Sequence, residues 1–146
     1  MILQFRDEYA WLSNFVLVDI ELRGIIYSSV EHAYMSEKCK DDKWVNICSD
    51  RTKTPGQIKR ASKAVILRDD WDDVKLLVME HCLNKKFEQE PFKTLLLKTN
   101  GQTIKEGNNW GDTFWGICLK TGDGENNLGR LIMKIRNKMM VNASCI

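Results

Sequence analysis

The stretch Ser28-Ser29-Val30-Glu31-His32-Ala33-Tyr34-Met35-Ser36-Glu37-Lys38 decides how the rest of the chain is read. Two serines, an acidic residue in the first turn and the lack of Gly or Pro make it a helix opening behind a serine cap. At about 100° per residue, Glu31, Tyr34, Met35 and Lys38 fall along one stripe of that helix. Glu31 and Lys38 then point nearly the same way, with about 10 Å of rise between them. A small ring such as a ribose, lying over Tyr34, would meet a carboxylate at one end and an amine at the other. The same letters also spell a capping box, Ser28-x-x-Glu31, in which Glu31 only starts a helix and Lys38 is an ordinary solvated lysine. On this stretch alone both readings are open.

Outward from it, the N-terminal side reads as β-rich. Ile2–Phe5 is expected to be a short strand, and Val16–Glu21 and Ile25–Tyr27 alternate like two strands joined around Arg23-Gly24. The Glu31 helix is expected to run to about Ile47. Thr54-Pro55-Gly56-Gln57 combines a threonine cap, proline at the first helical position and glutamine at the capping-box position, which predicts a helix over Pro55–Leu67. Asp70 to Asp73 starts another, with Trp71, Val74, Leu77, Val78 and Cys82 as its apolar face through to Phe87. Pro91 opens a short helix to Lys98, and Thr103–Glu106 and Phe114–Leu119 read as strands. A last helix carries Leu128, Leu131, Ile132, Ile135 and Met139 at helical spacing. The expected fold class is α+β: a single domain over residues 1–146, a small antiparallel sheet packed with about five or six helices.

Composition narrows the function classes. At 146 residues and 43% hydrophobic content the chain is long and apolar enough to bury a core. Apolar runs of only a few residues predict no membrane span, and the N-terminus lacks a secretory pattern, so a cytoplasmic protein is expected (host cytoplasm if phage-encoded). Cys39, Cys48, Cys82, Cys118 and Cys145 are scattered, with no C-x-x-C and only His32 and His81 to join them. No metal or disulfide framework is expected, no cofactor is implied, and the five thiols are read as structural. The net charge of +2 is small, but Arg51, Lys53, Lys59, Arg60, Lys63 and Arg68 occur with no acid between them. That segment is either a solvated helix face or a face for phosphates or nucleic acid.

Five motifs stand in fixed order: Leu-Ser-Asn-Phe (12–15), Ser-x-Glu-His-x-Tyr-x-x-x-Lys (29–38), Trp-x-x-Val-Lys (71–75), Asp-x-x-Trp-Gly (112–116) and Asn-x-Leu-Gly-x-x-x-Met-x-x-Arg (126–136). Together with Lys-Phe-Glu-Gln (86–89), they resemble the NADAR (YbiA-like) family of N-glycosidases over nearly the whole chain. The resemblance implies a compact α+β fold that hydrolyses C–N bonds between a ribose carbon and a nitrogen. It implies Glu31 as the main catalytic carboxylate, Lys38 as the catalytic amine, and Trp71, Asp112 and Trp115 in the pocket. In one place the sequence departs from family relatives: the loop before the last helix carries Asp123 and Glu125, which weakens any phosphate role for it.

The chemistry suits these residues. Breaking a ribosyl–nitrogen bond builds positive charge on the sugar carbon and negative charge on the leaving base, so one group must stabilise and another protonate. A desolvated Lys38 that loses its proton can attack the anomeric carbon of the opened sugar and form a Schiff base, with Glu31 shuttling protons. Asp112 would hold a ribose hydroxyl or orient water, or else only form a turn. Trp71 and Trp115 would stack on a base, or else fill the core. Asn14 would bond ligand or close a turn, Tyr34 is a pocket wall, and Phe15 and Gly116 complete the substrate-binding set. His32 points about 100° from Glu31 and is read as structural. The expected substrate is ADP-ribosylated nucleic acid, guanine in particular, or an ADP-ribose-containing small molecule, with no obligate protein partner. The alternatives are a hydrolase of amino-pyrimidine riboflavin-synthesis intermediates and a non-catalytic ADP-ribose-binding module.

Overall fold

The structure, a computed structural model, describes residues 1–144. Its internal contacts gather into two units, one spanning Asn14–Lys86 and the other joining Met1–Ser13 to the chain from Phe87 onward.

In the Asn14–Lys86 unit, strands β1 (Ile20–Leu22) and β2 (Ile25–Tyr27) pair antiparallel, Leu22 facing Ile25. Only Arg23 and Gly24 lie between, both at positive φ (53° and 79°), the primed two-residue turn that matches strand twist. The alternation of buried Ile20 and Leu22 with exposed Glu21 sets the register. Helix α1 (Val30–Ser36) follows, every one of its seven residues buried. So short a helix is marginal in water, and its stability comes from packing against α2 (Asp42–Ser49), α3 (Pro55–Ala61) and β1.

The Glu31 helix is shorter than the sequence predicts. It stops at Ser36, and Asp41 starts α2 afresh by accepting the Lys43 amide at 2.9 Å. Trp44 Nε1 donates to the Met35 carbonyl at 2.8 Å, satisfying one of the acceptors that the helix end leaves open. The capping-box reading of Glu31 also fails. Ser29, not Ser28, is the cap, and its Oγ accepts the His32 amide at 3.1 Å, which leaves Glu31 outside the reciprocal bond. The box at Thr54 and Gln57 does form, but α3 ends at Ala61 and tightens into a 3-10 turn, Ser62–Ala64, short of Leu67.

Helix α4 (Trp71–Phe87) has the expected bounds but a rotated face. Trp71, Met79, Cys82, Leu83 and Lys86 are buried, whereas Leu77 is 66% exposed. Positions 71, 75, 79, 82, 83 and 86 form one stripe at 3.6 residues per turn, and that stripe includes two lysines.

In the other unit, Ile2 bridges Ile104 in parallel, and this single bridge is all that forms of the strands expected at Ile2–Phe5 and Thr103–Glu106. A 3-10 helix, Asp7–Leu12, follows. Helix α5 (Phe92–Lys98) stands where Pro91 signals it. Strands β3 (Gly107–Asn108) and β4 (Ile117–Cys118) pair parallel, so of the two strand pairs among the described residues only the β1–β2 hairpin is antiparallel. Helix α6 (Asn127–Ser144) buries Leu128, Ile132 and Ile135 together with Gly129 and Arg136. A Cβ at Gly129 would collide with the Ile104 carbonyl, and Arg136 Nη1 donates to the carbonyls of Thr99 (2.9 Å) and Gln102 (2.8 Å) beyond the end of α5. The class is α+β.

Candidate active site

Glu31 is the second residue of α1 and is buried. Its amide donates to the Asn14 carbonyl at 3.1 Å, which lays Asn14 and Phe15 alongside the start of the helix. The Asn14 side chain is buried too. Its Nδ2 approaches Met79 Sδ at 3.5 Å, and among the described residues its Oδ1 has no hydrogen-bond partner. A buried acceptor without a donor costs about 1–3 kcal/mol. A ligand hydroxyl or amine would remove that cost.

Tyr34, one turn on from Glu31, meets Trp71 at the start of α4, the ring centroids 5.1 Å apart and the planes at 53°. Both rings are buried, so they serve as wall and core at once. His32, off this stripe, is fully buried and structural. Its Nε2 donates to the Lys53 carbonyl at 2.8 Å, since a carbonyl can only accept, which leaves Nδ1 to accept from Ser29 Oγ at 2.6 Å.

Lys38 lies two residues past the end of α1 and is half-buried. Its carbonyl accepts the Arg68 amide at 2.8 Å, tying the exit of α1 to the segment that enters α4. Burial pushes the Lys38 amine below its ordinary value; the Glu31 carboxylate opposes that push, and the charges of Lys59 and Lys75 reinforce it. One carboxylate and two further amines therefore act on the Lys38 amine. Lys75 also touches Asp72 at 3.2 Å, and Lys59 Nζ stands 5.8 Å from the centre of the Phe15 ring.

Lys59, Lys75 and Lys86 stand in the basic segment and in two of the motifs read off the sequence, but none carries a site role there. Lys75 and Lys86 sit on the Trp71 stripe of α4, so helical spacing carries a signal for both. Lys86 is fully buried, and burial pushes its amine down to about 7. Lys59 is marked only as one of six basic residues in the acid-free segment from Arg51 to Arg68.

Asp112, Trp115 and Gly116 lie together in the other unit. Asp112 is half-buried, and its Oδ1 accepts the amides of Phe114 (3.2 Å) and Trp115 (2.9 Å), the turn-forming role open to an aspartate at this spacing. Asn108 clasps the same loop, donating to the Asp112 carbonyl and accepting its amide. Trp115 meets Phe114 edge-on at 4.9 Å. At Gly116 a Cβ would collide with the Glu106 carbonyl and carboxylate, so the motif glycine is needed for close approach. The loop carrying Asp123 and Glu125 closes on itself through Gly122 N–H to Cys118 C=O and Cys118 N–H to Asp123 C=O, both 2.7 Å.

Among the thiols, burial pushes Cys48 and Cys82 up to about 12, which disfavours a nucleophilic role for either. Cys118 is drawn the other way, chiefly by the backbone amide of Thr121. Cys145 lies outside the described residues. Among those residues no group of three His, Cys, Asp or Glu side chains could hold a metal, and no helix is long and apolar enough to cross a membrane.

A buried carboxylate beside a desolvated amine and an aromatic pair can protonate a leaving nitrogen, stabilise a sugar cation or attack an opened sugar. Residues 4–140 match the NADAR domain family. The chain is 31% identical to N-glycosidase YbiA of Escherichia coli, covering 92% of this chain and 84% of that one. It is also 31% identical to a riboflavin biosynthesis protein of Vibrio vulnificus, covering 94% of this chain but 37% of the relative. The NMR structure of E. coli YbiA superposes with a TM-score of 0.85 at 30% identity, covering 98% of this chain and 87% of that one. Family match, shared fold and chemistry converge: the chain belongs to the NADAR domain family and is an N-glycosidase, a hydrolase of N-glycosyl compounds.

Proposed function

We propose that this N-glycosidase releases ADP-ribose from a modified nucleobase in nucleic acid, with guanine the base of choice. The observation that carries the reading is the charge around the Lys38 amine: the cations Lys59 and Lys75 and the buried Glu31 carboxylate all act on it. A diphosphate between two riboses asks for several cations near the reacting sugar, and one general acid–base group suffices for the bond that breaks.

In the proposed reaction Glu31 gives a proton to the departing base as the ribosyl C–N bond breaks and the ring oxygen takes up the positive charge. Lys38, as a neutral amine, adds to the anomeric carbon of that cation; the bond from this carbon to the ring oxygen then breaks, the ring oxygen takes a proton from the nitrogen, and an imine of the opened sugar forms. Water adds to the imine carbon, the bond to the Lys38 nitrogen breaks, the spare proton returns to Glu31, and free ADP-ribose leaves. Asn14 Oδ1 accepts a ribose hydroxyl. For Asp112, Trp115 and Gly116 the roles stay those implied by the family motif: a hold on a ribose hydroxyl or water, stacking, and close backbone approach. The cytoplasmic setting expected from the sequence belongs to the same reading.

A second reading draws on the Vibrio relative named for riboflavin biosynthesis. There the substrate is an amino-pyrimidine carrying a ribosyl phosphate, and one phosphate replaces two.

An oligonucleotide with ADP-ribose on guanine, incubated with wild-type protein and with Glu31→Gln, separates the two. Free ADP-ribose and restored oligonucleotide are followed by mass. Release by wild type and not by E31Q supports the first reading. No release, with turnover of the amino-pyrimidine ribosyl phosphate, replaces it with the second.

A further inference from the structure

A surface groove of about 510 Å³ opens in the Asn14–Lys86 unit, lined by Phe15, Leu17, Asp19, Arg51, Lys53 and Thr54 among others. We propose that this groove is a separate subsite that holds the strand flanking the modified nucleotide; the proposal rests on the ADP-ribosyl reading above and deepens it by assigning where the rest of the strand lies.

Several lining residues of the groove are tied to the residues around Glu31. Asn14, whose carbonyl accepts the Glu31 amide, is followed directly by Phe15 at the groove wall. Ser28, another wall residue, precedes the Ser29 cap of α1, and the Lys53 carbonyl takes the His32 ring proton. Lys59 links the two sites, since its charge acts on Lys38 and its Nζ stands over the Phe15 ring at 5.8 Å.

The lining suits an unstacked phosphodiester strand. Phe15 is 43% exposed and Leu17 71%, so apolar surface lies open beside cations, the combination that holds bases by their faces and phosphates by their charge. Arg51, Lys53 and the adjoining Lys59 face a single lining acid, Asp19, which Arg51 contacts at 3.3 Å through both terminal nitrogens. Both partners are more than half exposed, so the ion pair is worth at most about 1 kcal/mol and a phosphate can take the guanidinium from it. Thr54 contributes little to binding, since its hydroxyl is occupied by the Gln57 amide in the α3 capping box.

Fluorescence anisotropy with labelled, unmodified single strands of DNA and of RNA, and with duplex DNA as a third arm, tests the groove without any chemistry. Wild type is expected to prefer a single strand, the tighter of DNA and RNA naming the source. In Arg51→Gln/Lys53→Gln the slope of log K against log salt should fall by about 1.4, two contacts at about 0.7 each. Leu17→Glu, which leaves both cations in place, should weaken the strand as well, with circular dichroism confirming the fold of each variant. In turnover assays the double variant should raise KM for the ADP-ribosylated oligonucleotide at unchanged kcat and leave an ADP-ribosylated mononucleotide untouched, since the mononucleotide does not reach the groove. An unchanged salt slope with unchanged KM overturns the groove while the ADP-ribosyl reading stands. Failure of wild type to release ADP-ribose from either substrate overturns that reading, and the salt slope of the unmodified strand then still decides the groove.

Discussion

At Lys38 burial and the Glu31 charge pull in opposite directions. Burial and the neighbouring lysines favour the neutral amine that nucleophilic attack needs, while the Glu31 carboxylate favours the ammonium. Because the amine sits below its ordinary value, turnover through a Schiff base should rise with pH below the usual lysine range, and Lys38→Arg, which cannot lose its proton, should abolish it. Borohydride added during turnover should leave a mass adduct on Lys38; without an adduct the imine step is wrong, though Glu31 chemistry survives. Glu31→Gln is expected to lower kcat by about 10²–10⁴, the usual worth of a general acid–base group, with substrate binding retained. A different residue-scale outcome concerns the thiols. Iodoacetamide at neutral pH should modify Cys118 well before Cys48 or Cys82, because Cys118 is partly exposed with its thiolate favoured while the other two are buried and pushed up to about 12. Peptide mass mapping reads the order.

At the scale of elements, α1 depends on a single cap. Ser29 Oγ serves the His32 amide and the His32 ring at once, so Ser29→Ala removes two bonds inside a fully buried helix. A loss of about 2 kcal/mol is expected from the cap and the stranded ring nitrogen together, measured by urea unfolding, with the remaining activity declining only as the folded fraction does. At the hairpin, Gly24 holds φ of +79° in open space, so Gly24→Ala there strains the backbone without touching a neighbour, at a cost of about 1–2 kcal/mol. Gly116→Ala differs in kind. Its Cβ meets backbone, and the loop that presents Trp115 has to move.

For the whole molecule, the fully buried Lys86 imposes a pH dependence. Its amine is pushed down to about 7 in the folded state, so between that value and the ordinary lysine value the unfolded chain binds more protons than the folded one. Stability therefore rises with pH through this window, and the penalty is fully present below it. Cys48 and Cys82 work in the opposite sense above their ordinary value of 9.0, where the unfolded thiols ionise first. The comparison is cleanest below that point: Lys86→Met should be more stable than wild type at pH 7, and its advantage should shrink by about 2 kcal/mol by about pH 8.5, read from denaturant midpoints at each pH. A constant difference would mean that Lys86 does not titrate in that range.

The sequence by itself determined the local devices. The Thr54 box, the Arg23-Gly24 turn, the start of α4 and the Pro91 break before α5 need only neighbouring residues to satisfy their backbone groups or set φ, and all four stand where the letters put them. The ordered motifs likewise determined the family, and with it the α+β class and the N-glycosidase chemistry. Only the tertiary structure decided where α1 stops, which face of α4 is buried and which lysines act on Lys38. Helix α1 ends early because Trp44, on the next helix, caps the Met35 carbonyl and Asp41 begins that new helix. No periodicity shows a bond made by a residue in another element. The α4 stripe follows what it packs on rather than the most apolar arc, so Leu77 faces solvent and Lys86 does not. Lys59 reaches Lys38 and Phe15 only because α3 folds back beside α1. Charge in a sequence has no position; packing supplies it.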